Sequence, residues 1–165
     1  MEIWDAYDRD ENLLGYDLVR GQQLEEGVYH LVCKAVIRHT DGDFLMMLRS
    51  PEKKSFPNCW EAGAGGCAMK GEDNLTAMRR EIFEETGITG GKLSPLYRLV
   101  REQSHIIFNG FLLLTDCDKD SIVLQAGETA AYRWISAPEF VRWYDEENEI
   151  PSVTLRLRDY VDSLR

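Results

Sequence analysis

Apolar positions in this chain come mostly in short runs rich in β-branched and aromatic residues, broken by Gly, Pro and Asp, the pattern of strands and turns. The run "YHLVCKAVIRH" (29–39) ends at "TDGD", an Asp-Gly turn signal, and "FLMMLRS" (44–50) returns from it, so the two form an expected hairpin. "KLSPLYRLVREQ" and "HIIFNGFLLLTD" make a further antiparallel pair, and "TAAYRWIS" adds one strand. Within residues 1–29, "DRDENLLG" reads as a turn between two short strands. "PEKKSFPNCW" is a loop, and "WEAGAGGCAMKGE" holds too much glycine for a regular strand interior. The spacing turns helical from Asp73 to about Thr86, again after Ser136-Ala137-Pro138, and over 150–165, where Val153, Leu157, Val161 and Leu164 share one face. Strands with one inserted helix and helices at the end predict an α+β sandwich on a mixed β-sheet. No repeat, low-complexity tract or linker divides residues 1–165, so one domain is expected, with 1–29 as an N-terminal hairpin extension.

Length and charge narrow the function. With 165 residues, 44% of them hydrophobic, the chain can bury one real core. A formal net charge of −10 excludes broad contact with a nucleic-acid polymer, which needs basic patches, but leaves room for a small anion that arrives with a metal ion. No apolar run approaches the ~20 residues that span a bilayer, and "MEIWDAYDRDEN" lacks the features of a signal peptide. Cys33, Cys59, Cys67 and Cys117 show no C-x-x-C spacing, so reduced thiols and a cytoplasmic location are expected, with monomer and homodimer both open. Arg49, Lys53, Lys54 and Arg101 read as solvated cations, His30, His39 and His105 as core or surface residues, and Trp60, Trp134 and Trp143 as core.

The segment "RREIFEETG" (79–87) is the chemical anomaly. On a helical wheel Leu75, Met78 and Ile82 fall within about 60° of one another, an expected buried stripe. Glu81, Glu84 and Glu85 fill an adjacent arc about 100° wide, because positions i, i+3 and i+4 are neighbours. Like charges so placed repel, more so where water is partly excluded. A solvated acidic face is one reading, and a set of hard oxygen ligands for Mg²⁺ or Mn²⁺ is the other. Upstream, "GGCAMKGE" is a glycine-dense loop entering the helix; it fits neither a P-loop nor a dinucleotide fingerprint.

Taken together, loop and helix read Gly66, five residues, Glu72, seven residues, Arg80-Glu81-Ile82, one residue, Glu84-Glu85, one residue, Gly87-Ile88. This resembles the Nudix box, G-x5-E-x7-R-E-U-x-E-E-x-G-U with U aliphatic, at every specified position. A chance match in a chain of this length is below about one in a million at ordinary residue frequencies. The resemblance covers roughly residues 1–136, since "FPNCWEAGAGG", "YHLVCKAVI" and "LMMLRSPEKKSFP" are similar to the branch that includes isopentenyl-diphosphate isomerase.

The resemblance implies an α/β/α sandwich and a hydrolase that cleaves a small diphosphate compound, such as a nucleoside diphosphate linked to another moiety, with Mg²⁺ or Mn²⁺. Carried over by position, Glu81, Glu84 and Glu85 would hold the metal, with Glu81 or Glu85 helping to activate water, and Gly65 would offer its carbonyl. Gly66, Glu72, Arg80 and Gly87 would shape the box, Arg80 by pairing with a box carboxylate. Glu128, six residues before Trp134, and Glu102 are weaker candidates for the same site. The isomerase alternative needs a cysteine and a histidine where this chain has Gly65 and Cys67, and Cys67 reads as a packed thiol. A binding module without turnover is the remaining alternative, although such domains usually carry a damaged box.

Overall fold

A near-continuous apolar strand, β3 (His30–His39), is buried along most of its length, as suits a strand covered on both faces. It is the axis of a computed structural model that describes residues 1–165. Before it come β1 (Ile3–Tyr7) and β2 (Leu13–Val19), which pair with each other as a separate hairpin. After it follow β4 (Phe44–Arg49), β5 (Trp60–Ala62), β6 (Ala64–Cys67), α1 (Asn74–Thr86), β7 (Lys92–Arg101), β8 (Ile106–Thr115), β9 (Thr129–Ile135), α2 (Ala137–Arg142) and α3 (Pro151–Asp162). β3 lies parallel to β8, from His30 opposite Ile106 to His39 opposite Thr115, and β8 is antiparallel to β7. The other strands join antiparallel, so the sheet is mixed.

Two-residue alternation divides the core. Leu31, Cys33, Ala35 and Ile37 of β3, with Leu45 and Met47 of β4, face α1 and meet its Ala77, Met78 and Ile82. Val36, Phe44 and Met46 face the opposite way, onto Phe140, Trp143, Val153, Leu157 and Val161. Helix, sheet and helix thus form the expected α/β/α sandwich. The helix ends carry their own stop signals. Asp73 accepts from the Thr76 N–H (2.7 Å), Gly87 closes α1 at φ +74°, and Glu139 accepts from the Ser136 N–H (2.8 Å) to start α2.

Four local expectations change. The glycine-rich stretch does form strands, β5 and β6, because Gly63 turns between them at φ +62°, where a Cβ would lie 1.8 Å from the Ala35 carbonyl oxygen. β4 parts from β3 after the pair Arg38–Phe44, since β6 occupies the place beside β3 and β4 joins β5 and β9 instead. The helix after Ala137 gives way to a π-helical turn over Trp143–Glu147. Leu75 is 53% exposed, and the buried face of α1 is rotated toward the carboxylates, with Ala77, Met78, Ile82, Glu85 and Thr86 inside. That rotation is possible because the strand opposite offers bare glycine backbone.

The hairpin packs on the sheet through Trp4, Ala6, Leu18 and Val28. Trp4 stacks on His30 with ring centroids 4.1 Å apart, and burial lowers the imidazole to about 4, so His30 is a neutral core residue. Trp143 is buried as expected, while Trp60 and Trp134 are only partly covered. No helix is long and apolar enough to cross a membrane.

Candidate functional site

β6 sets the floor of the site. It pairs with β3, Gly65 opposite Lys34 and Gly66 opposite Cys33, and α1 lies across it. A Cβ at Gly66 would fall 2.5 to 2.7 Å from the carboxylate atoms of Glu81, so that carboxylate sits directly on peptide backbone. The Gly65 N–H donates to Oε2 of Glu85 at 3.3 Å. Glu85 is only 7% exposed, and burial pushes its carboxyl up to about 8; Lys34 opposes the shift, while Glu61 and Glu81 add to it. Burial also raises Glu81, against the pull of Arg80.

Arg80 ties the loop to the helix. It grips Glu72 with two parallel bonds, Nε to Oε1 at 2.7 Å and Nη2 to Oε2 at 2.9 Å. Its Nη1 donates to Glu81 at 2.8 Å and Glu84 at 3.2 Å, and Nη2 donates to the Cys67 carbonyl at 3.1 Å. Glu72 also accepts from the Met69 N–H at 2.9 Å, and the Arg80 bonds hold its carboxyl below the usual range. One guanidinium therefore fastens the segment from Cys67 to Glu72 and three carboxylates.

The box glutamates do not converge as a ready cage. Glu81 and Glu84 lean to Arg80 and Glu85 to Gly65, and no three acidic, histidine or cysteine side chains gather at one point. The donor chemistry nonetheless suits a hard divalent cation. Carboxylate and carbonyl oxygens are the groups present, and two of the acids sit where burial disfavours their charge until a countercharge arrives.

These groups line one wall of a cleft of about 510 Å³. The loops supply Lys53, ion-paired with Glu128. The hairpin supplies Glu2 and Arg20, paired at 2.6 Å, a contribution that sequence reasoning missed. The same hairpin holds the box loop: Gly71 N–H donates to Asp5 (2.7 Å), Lys70 Nζ to Asp17 (2.7 Å), and Lys70 N–H to the Ile3 carbonyl (3.0 Å). No spacing rule links these positions, and only the docked hairpin brings them together. Glu102 lies elsewhere, bound to Arg9 at 2.6 Å and to the Tyr29 hydroxyl, and is not part of the cleft. Arg49 is structural, held on Glu61 (2.8 Å) and on the carbonyls of Ser55 and Phe56 (2.8 and 3.0 Å). Cys67 reaches the cleft wall, but burial pushes its thiol up to about 11, which keeps it protonated and a poor nucleophile.

Known proteins are similar to this chain in sequence and in fold. The NUDIX domain model matches residues 28–155. A Nudix hydrolase of Listeria monocytogenes is 32% identical over 144 residues, covering 84% of this chain and 82% of its own. An isopentenyl-diphosphate Delta-isomerase of Corynebacterium diphtheriae is 34% identical over 121 residues, 68% of this chain and 66% of its own. A crystal structure of a Deinococcus radiodurans protein superposes with a TM-score of 0.69 at 21% identity, covering 86% of this chain and 87% of that one, a likeness of fold. Domain match, relatives and carboxylate-lined cleft agree: the chain belongs to the Nudix family and is a Nudix pyrophosphohydrolase.

Proposed function

We propose that the cleft hydrolyses the pyrophosphate bond of a small diphosphate compound, such as a nucleoside diphosphate linked to another moiety, with Mg²⁺ or Mn²⁺ held by Glu81, Glu84, Glu85 and the Gly65 carbonyl. The observation that carries this reading is the half-buried Glu81 and the buried Glu85, set against the bare backbone of Gly66 and Gly65 in the wall of an open cleft. When bound, the cation supplies neutralisation of the phosphate oxygens and polarisation of the attacking water. Glu81 or Glu85 would take the proton of the attacking water, since both carboxylates line the cleft. Gly66, Glu72, Arg80 and Gly87 keep loop and helix in register. Residues 1–165 act as one unit in this scheme, because the hairpin both fastens the loop and faces the cleft.

Purified protein incubated with nucleotide sugars, dinucleotides, nucleoside triphosphates, coenzyme A and prenyl diphosphates is expected to cleave at least one when Mg²⁺ or Mn²⁺ is present, and none after chelation. Cleavage that survives the chelator, or none across the whole panel, rejects the reading. Stabilisation by a ligand without any turnover favours the binding module instead. The likeness to an isomerase does not supply that activity, since Gly65 and Cys67 stand where its cysteine and histidine belong.

Arg20 lines the same cleft as the box glutamates, paired with Glu2, and in this reading its guanidinium meets substrate charge that the cation leaves uncovered. On the substrate found, Arg20→Gln is expected to raise KM by about three- to tenfold with kcat nearly unchanged, the mark of lost ground-state binding. An unchanged KM removes Arg20 from the substrate site.

A further inference from the structure

Lys34 lies behind the glycine strand rather than in the cleft. β3 pairs it with Gly65, and its stem packs so closely that a Cβ on Gly65 would lie 2.5 Å from the Lys34 Cδ. Its ammonium stands 3.5 Å from the Gly65 carbonyl oxygen and 3.5 Å from Oε2 of Glu61. Both side chains are well covered, 18% exposed for Lys34 and 13% for Glu61. Glu61 is anchored in turn by Arg49 at 2.8 Å. Lys34 and Glu61 line a small separate cavity with Tyr97 and Arg156, whereas Gly65 and Glu85 face the cleft. A thin layer of backbone thus separates a fixed positive charge from the carboxylates of the box.

We propose that Lys34 is a positioning residue that sets the affinity of the cation site, acting through the Gly65 backbone as a counter-charge to Glu85 held in place by Glu61. This rests on the metal-dependent reading above. The ammonium draws on the same carbonyl and acids that a divalent cation would use, so the two positive charges oppose each other across β6. Charges separated by one backbone layer with little water between them interact strongly enough to move a binding constant by about tenfold. Glu61 has the reverse influence, because its negative charge both attracts the cation and restrains Lys34 from Glu85.

Opposite signs provide the test. Mn²⁺ binding to the full chain is measured by titration calorimetry without substrate, together with the rise in melting temperature that Mn²⁺ produces. Lys34→Met is expected to tighten the Kd about tenfold and enlarge the melting rise; Glu61→Gln is expected to weaken it about tenfold. Lys34→Arg keeps the charge and the wild-type Kd. Damage to packing alone would weaken binding in both variants, so a shift of the same sign, or no shift, overturns the proposal. Should Lys34→Met fail to fold, Lys34→Gln serves with the same expected sign. A wild-type chain that binds no Mn²⁺ at all overturns the metal reading and this one with it; wild-type binding with both variants weakened overturns only the role of Lys34.

Discussion

Glu85→Gln is expected to fold like the native chain and to lose at least about a thousandfold in kcat, some 4 kcal/mol of transition-state stabilisation. The two halves of this expectation have different causes. Glu85 is 7% exposed and makes one backbone contact, the 3.3 Å bond from Gly65, which an amide oxygen can still accept. Burial pushes its carboxyl up to about 8, so the cation-free interior already favours a neutral group there, and the amide adds no unpaired charge. Chemistry is another matter, since an amide is a weak ligand for a hard cation and cannot take a proton from water. The assay compares kcat at saturating Mg²⁺ with melting temperature measured in chelator. Glu102→Gln is the control: its partners are Arg9 and Tyr29, outside the cleft, and it should keep full activity. A Glu85→Gln enzyme with more than about a tenth of native kcat would remove Glu85 from the reaction.

What could be read in the sequence was whatever depends on neighbours along the chain. The strand runs, the helical span from Asp73 to about Thr86, and the one-sided placement of Glu81, Glu84 and Glu85 all follow from local periodicity. The pairing of Arg80 with a box carboxylate came from the family resemblance, and the structure extends it to Glu72, Glu81 and Glu84 together. The remainder required the fold. Glycine disfavours strands, yet residues 64–67 pair with β3, and glycine is required there because a Cβ at Gly65 would strike Cys33 and Lys34 and one at Gly66 would strike the Glu81 carboxylate. A helical wheel turns Leu75 inward, but it does not know that the facing strand is bare at Gly65 and Gly66 and lets Glu85 turn in. Lys34 interrupts the apolar run from Leu31 to Ile37, and nothing local distinguishes it from an ordinary outward-facing residue. Arg20 lies in a hairpin that falls outside the matched family region, so its place in the cleft is visible only after docking.

Arg80→Met is expected to destabilise the cation-free protein by about 2–4 kcal/mol, a fall of about 5–15 °C in melting temperature for a chain of this size. Methionine preserves the stem and removes the fork. Glu72, with 15% of its side chain exposed, keeps the Met69 N–H as a partner and loses both guanidinium bonds, and Glu81, 12% exposed, loses its only ion pair. The Cys67 carbonyl loses its donor as well, so the loop from Cys67 to Glu72 is no longer tied to α1 from this side. The hairpin contacts of Lys70 and Gly71 remain, which is why the protein should still fold. On this account kcat falls about ten- to a hundredfold through displacement of Glu81 rather than loss of a reacting group. Added Mg²⁺ should then stabilise the variant more than the native chain, because the cation replaces the positive charge that Glu81 and Glu84 have lost. Arg80→Lys should fall between the two, keeping charge without the bidentate grip on Glu72. A melting temperature within about 2 °C of native in Arg80→Met would show that the hairpin alone holds the loop.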